Sequence, residues 1–91
     1  MNFKRERDFL KNLCKGHISD LIENVGWNKQ QIGIIKCRCL EFKSVVRTCM
    51  DVGISEAEYR RQVNGLYMKL KSYMLQCDDA DLKQFYTSFR G

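Results

Sequence analysis

The chain has 91 residues, 44% hydrophobic and 30% charged, a globular balance with room for one domain (1–91) and none for a large enzyme cleft. With 16 Lys and Arg against 11 Asp and Glu, the net charge is +5 and the pI near 9.1, which directs attention to anionic partners. Proline is absent, excluding Pro-rich linkers and collagen-like segments, and no apolar run approaches the roughly 18 residues that a membrane-spanning helix needs.

Leu10, Leu13, Cys14, His17, Ile18, Leu21, Ile22 and Val25 recur at three- and four-residue spacings, which predicts one amphipathic helix over about residues 5–25, ended by Gly26. Asn28 and Gln31 form a capping-box pair that opens a second helix, carrying Ile32, Ile35, Cys39 and Phe42 to about residue 43. Ser44 caps a short third helix, 45–52, that stops at Gly53. Ser55-Glu56-Ala57-Glu58 reads as another capping box, the Ser55 hydroxyl accepting from a backbone N–H and the Glu58 carboxylate returning the bond. Behind it Tyr59, Val63, Leu66, Leu70, Tyr73 and Cys77 predict a long helix, about 56–77, with a heptad-like seam. Asp78 is expected to cap a last helix bearing Leu82, Phe85, Tyr86 and Phe89. No segment alternates with period two, so the expected class is all-α with about five helices.

The third and fourth helices, joined at Gly53, describe a helix-turn-helix within a core of about residues 28–77, flanked by an N-terminal and a C-terminal helix. In that motif the second helix enters the major groove. The run Asn28 to Ser44, with its paired Ile34 and Ile35, followed by Val52-Gly53-Ile54-Ser55-Glu56, Tyr59, Val63 and Lys69-Leu70-Lys71, resembles region four of bacterial sigma factors. The same shape serves response-regulator output domains and small regulators of phages and mobile elements. The resemblance implies a transcription regulator that binds promoter DNA within, or alongside, RNA polymerase. Two positions depart from the pattern. Thr48 and Cys49 stand where the family has an apolar residue followed by Ala, and Gly65 sits in mid-helix, at a cost of up to about 1 kcal/mol relative to Ala.

Charge is unevenly placed along the chain, at +3 over residues 1–15, −2 over 16–28, +5 over 29–71 and −1 over 72–91. If Tyr59, Val63, Leu66 and Leu70 face the core, a turn of roughly 100° per residue points Ala57, Arg61, Asn64 and Met68 away from it, with Arg60 beside them. Arg60 and Arg61 suit guanine, Asn64 adenine, the Ala57 methyl a thymine methyl, and Glu56 a cytosine amine. Lys36, Arg38, Lys43 and Arg47, with Ser44 and Ser55 at helix N-termini, are the expected phosphate contacts.

A second class stays open on the same residues. The acidic Glu56 and Glu58, the exposed Met68 and the departures at Thr48 and Gly65 equally fit a protein-interaction module, such as an RNA polymerase-binding factor or a phage-type inhibitor occupying another protein's nucleic-acid groove. The 59–77 seam either packs on the first helix or, with Phe85, Tyr86 and Phe89, builds a homodimer. Five cysteines, an odd number, and a polar opening segment are expected of a reduced, cytoplasmic protein. Cys37 and Cys39 lie about 200° apart on a helix, so no metal site is expected of them. The lone His17, on an apolar stripe, reads as packed rather than catalytic, and neither an enzyme nor a cofactor is expected.

Overall fold

A computed structural model describes residues 3–90, and it is all-helical. Six helices run in the order α1 (Lys4–Asn12), α2 (Lys15–Asn24), α3 (Lys29–Ile35), α4 (Val45–Val52), α5 (Glu56–Leu75) and α6 (Ala80–Ser88). A π-helical turn, Lys36–Leu40, continues α3. The described residues contain no strand.

The sixth helix arises because the expected single helix over 5–25 is two. The chain turns extended at Leu13 (ψ 142°) and Cys14 (ψ 158°). Asn12, the last residue of α1, bonds its Nδ2 back to the Asp8 carbonyl at 2.8 Å, the local side-chain bond by which Asn competes with continued helix. Asn24 does the same to Asp20 at the end of α2 (2.6 Å). Apolar spacing carries through this joint, which is why periodicity alone reads it as continuous. One consequence is that Cys14 and His17 are exposed rather than on an apolar stripe, with Sγ and Nδ1 3.4 Å apart.

The other helix ends follow local rules. Gly26 (φ 83°) and Gly53 (φ 78°) adopt the left-handed conformation that glycine alone enters without a Cβ clash, and they terminate α2 and α4. The Asn28–Gln31 capping box forms with both reciprocal bonds, and Ser44 and Ser55 cap α4 and α5. Two expectations shift. α5 ends at Leu75, leaving Cys77 beyond it, and Asp79 rather than Asp78 caps α6 by accepting from Leu82 N–H.

Phe9, Ile18, Leu21, Leu66, Leu70 and Met74 are fully buried at the centre, with Trp27, Ile34 and Ile35 beside them. α5 is the axle of this core, and α1, α3 and α4 all pack on it. The seam that the sequence left open therefore lies within the chain. The aromatic tail does too, since Phe9 meets Phe85, Tyr86 and Phe89 with ring centroids 5.3–6.5 Å apart. Tyr86 additionally donates its hydroxyl to buried Glu6 at 2.6 Å, and Arg5 donates to the Phe89 carbonyl at 2.7 Å, clasping α1 to α6.

Gly65 has a reason. A Cβ there would come within 2.9 Å of the Gln31 amide nitrogen. That amide bonds the Gln62 carbonyl, and Trp27 Nε1 bonds the Leu66 carbonyl at 3.0 Å. The bare glycine thus sits where two side chains from the α2–α3 region reach the α5 backbone. Thr48 is likewise accounted for: fully buried, it donates its hydroxyl to the Ser44 carbonyl at 2.8 Å and secures the first turn of α4.

Candidate nucleic-acid interface

α4 and α5 are joined by Gly53-Ile54-Ser55. The Gly53 and Ile54 N–H groups both bond the Cys49 carbonyl, and Ile54 packs against the core under the joint. Beyond it the Ser55 hydroxyl accepts from Glu58 N–H at 3.1 Å. Glu58 does not return the bond as expected of a capping box. Its carboxylate instead pairs with the Arg61 guanidinium, one helical turn on, and accepts from Gln62 Nε2 at 2.8 Å. The carboxylate is held along the helix because two donors at i+3 and i+4 compete for it.

Glu56, Ala57, Arg60, Arg61 and Asn64 are all exposed on the first half of α5. The core-facing set Tyr59, Val63, Leu66 and Leu70 orients that helix, so one face of α5 presents these five side chains to solvent. Arg61 carries its ion pair with Glu58, while Arg60 and Asn64 have no hydrogen-bond or ion-pair partner among the described residues.

The expected phosphate contacts divide. Lys36 is exposed on the π-helical turn and unpaired among the described residues. Arg38 is exposed too but folds back, donating Nη1 to the Lys43 carbonyl at 2.6 Å. Lys43 lies between two carboxylates, 2.6 Å from Asp51 and 2.8 Å from Glu41, and Arg47 stands 3.4 Å from the same Asp51. The hydrogen bonds from Asp51 and Glu41 hold the Lys43 ammonium well above its usual range, and the Lys43 bond keeps Asp51 below the usual carboxylate range. Two of the four cations are thus already matched by acids on their own surface. The Ser44 and Ser55 hydroxyls act as helix caps, accepting from Arg47 and Glu58 N–H, and both residues are exposed.

Sequence reasoning missed a cleft of about 390 Å³ on the other side of α5. Arg7 and Lys11 of α1, Arg38 of the π-helical turn, and Tyr59 and Tyr67 of α5 line it, with Phe42 at its edge. No periodic signal marks it, because it gathers residues from four elements. Burial pushes the Tyr67 phenol up to about 12 and raises Tyr59, so both are protonated hydroxyls at neutral pH. Burial likewise pushes the Cys39 thiol, also in the cleft, up to about 11.

All five cysteines are free thiols, and no group of three His, Cys, Asp or Glu side chains is placed to hold a metal ion among the described residues. No described helix is long and apolar enough to cross a membrane. No protein-family model, curated protein or solved structure matches the chain.

Proposed function

We propose that α4, the Gly53 joint and α5 form a helix-turn-helix of sigma-region-four type, and that the chain is a small cytoplasmic regulator binding duplex DNA. The observation that carries this reading is the cluster of five polar or small side chains, Glu56, Ala57, Arg60, Arg61 and Asn64, exposed together on the capped entering half of α5. In a major groove, Arg60 and Arg61 address guanine, Asn64 adenine and Ala57 a thymine methyl. Lys36 and the exposed Ser44 and Ser55 anchor phosphates, with Lys43 and Arg47 contributing less because Asp51 and Glu41 neutralise them, and Arg38 less because it folds back onto the Lys43 carbonyl.

Selection from a random duplex pool, followed by a salt titration of the enriched sequence, tests the proposal. Enrichment of one sequence family and a steep loss of affinity with salt are expected. Arg61→Ala should relax specificity at one base pair, whereas Lys36→Ala should weaken all duplexes alike and reduce the salt slope by about 1. Equal binding of every duplex, with a flat salt response, refutes it.

One observation favours the protein-interaction reading instead. Val46 (60% exposed) and Met50 (68%) stand one turn apart on α4, and Met68 (53%) extends the outer face of α5. An apolar ridge beside ion-paired cations suits a protein surface, such as that of RNA polymerase or another nucleic-acid-binding protein, better than a phosphate backbone. Capture of a stoichiometric protein from nuclease-treated extract, lost on Val46→Ser/Met50→Ser, would establish that reading, and failure to enrich any duplex would accompany it.

A further inference from the structure

The cleft lined by Arg7, Lys11 and Arg38 lies on the core side of α5, away from the face just described. Its floor is aliphatic, formed by Leu10, Ile34, Ile35, Val63 and Leu66. Its volume, about 390 Å³, falls in the range of small-molecule sites. Arg7, Lys11 and Arg38 stand on its rim, and no Asp or Glu lines it. Lys43 also reaches it, but its charge is matched by Glu41 and Asp51, and Arg7 is partly matched by Asp8 at 3.6 Å, which leaves Lys11 and Arg38 as the rim cations with no acidic partner among the described residues.

Two local irregularities converge on this place. The helix that supplies Arg38 and Cys39 is wound as a π-helical turn, a distortion found disproportionately at functional sites. Directly after it Phe42 occupies the left-handed region (φ 55°), where a bulky L residue is uncommon. Phe42 is 72% exposed and lines the cleft, with Lys15 Nζ 5.8 Å from its ring centre. A strained backbone that presents an aromatic ring to solvent, rather than burying it, supplies a stacking surface with no role in the core.

We propose that this cleft binds a small amphipathic anion, a planar aromatic ring bearing a carboxylate or phosphate group. The ring lies on the aliphatic floor against Phe42, Tyr59 and Tyr67. The anion faces Arg7, Lys11 and Arg38 at the rim, and the neutral phenol of Tyr67 donates a hydrogen bond to it. A cleft with a cationic rim, no acidic lining and an apolar floor favours an anion over a neutral ligand of the same shape, because only the anion gains charge-assisted hydrogen bonds from the rim.

The test titrates the full chain with anilinonaphthalene sulfonate as a fluorescent aromatic anion, beside its uncharged relative phenylnaphthylamine. One saturable site is expected, with the uncharged probe binding at least about tenfold more weakly. Naphthoate and adenosine monophosphate, used as competitors, distinguish a carboxylate from a phosphate headgroup. Displacement by either supports the site, and displacement by neither overturns it. Arg7→Gln/Lys11→Gln should weaken the anion about tenfold and leave phenylnaphthylamine unchanged. Phe42→Gly removes the ring while relieving the left-handed backbone, so it should raise the melting temperature yet weaken both probes. Lys71→Gln, outside the cleft, serves as the control. Equal affinity for both probes, or anion binding indifferent to the Arg7, Lys11 and Phe42 changes, refutes the proposal.

Discussion

The clasp between α1 and α6 yields the most decisive stability prediction, because it rests on a buried polar contact between residues 80 positions apart. The Tyr86 hydroxyl donates to Glu6 Oε2 at 2.6 Å, and both residues are about 95% shielded from water, at 5% and 4% exposure. Removing the hydroxyl with Tyr86→Phe keeps the ring and its edge-on contact with Phe9 at 5.3 Å. What changes is that a carboxyl oxygen loses a partner in a place that water reaches poorly. An unsatisfied buried group of this kind costs about 1–3 kcal/mol, and a loss near 2 kcal/mol is expected here. For a domain of this size that lowers the melting temperature by about 8–16 °C.

Thermal and urea unfolding followed by circular dichroism measure it, with the urea midpoint moving and the slope unchanged if only the native state is affected. A double-mutant cycle separates the bond from the packing. Glu6→Met alone strands the Tyr86 hydroxyl, whereas Glu6→Met/Tyr86→Phe replaces both partners by apolar groups. The pair should be less destabilised than the sum of the singles by about 1–3 kcal/mol. A Tyr86→Phe loss under about 0.5 kcal/mol, or strictly additive singles, refutes the reasoning and reduces the clasp to aromatic packing.

Four further outcomes follow from the same structure. Tyr67 and Tyr86 are both pushed up to about 12, burial being the main cause and the Glu6 bond adding to it at Tyr86, so their protonated forms favour the folded state. That contribution is complete below pH 10 and is lost as pH rises toward 12; denaturant titrations across this window should show falling stability, with a shallower fall in Tyr86→Phe. Gly65→Ala should leave wild-type stability within about 0.5 kcal/mol, since a helix gain of up to about 1 kcal/mol is offset by displacing the Gln31 amide, whereas in a Gln31→Ala background it should stabilise by about 0.5–1 kcal/mol. Phe42→Gly should stabilise the chain by about 1 kcal/mol in urea titrations, by removing the left-handed Cβ clash. Asp51→Asn frees Arg47 and leaves Lys43 with Glu41 alone, so on the proposed duplex binding affinity should rise and its salt dependence steepen, a change that a filter-binding titration reads directly.

What was legible in the sequence is what is decided within four or five residues. Asn28 with Gln31, Ser44, Ser55 and the two glycines at 26 and 53 act through neighbouring backbone groups, and all do in the fold what their residue types imply. The joint at Leu13–Cys14 was not legible because it leaves the apolar spacing intact; only the Asn12 bond to Asp8 and the extended backbone reveal it. Glu58 shows the same limit at shorter range. Ser-x-x-Glu permits a reciprocal cap, but Arg61 and Gln62 offer the carboxylate two side-chain donors, and they take it. Gly65 looked like a defect because its justification, the Gln31 and Trp27 side chains, lies more than 30 positions away.

The candidate site divides along the same line. The outer face of α5 follows from a helical projection, since the residues that cannot be core must face water, and Ala57, Arg60, Arg61 and Asn64 do. Projection says nothing of which exposed cations keep their charge to themselves. Lys43 and Asp51 are eight residues apart across a loop and a helix start, and their pairing depends on Arg38 holding the Lys43 carbonyl and on Ser44 starting α4 where it does. The basic excess of the middle of the chain is therefore not one surface. Part of it is matched by Asp51 and Glu41 on α4 and its approach, part stands free at Arg60 and Lys36, and part, with Arg7 and Lys11 from the N-terminal helix, rims a cleft that no single element could have announced. On the two proposed readings, the same helix separates two kinds of anion recognition. Its outer face is suited to a repeating polyanion read along its length, and its inner face to a single charged group held above an apolar floor.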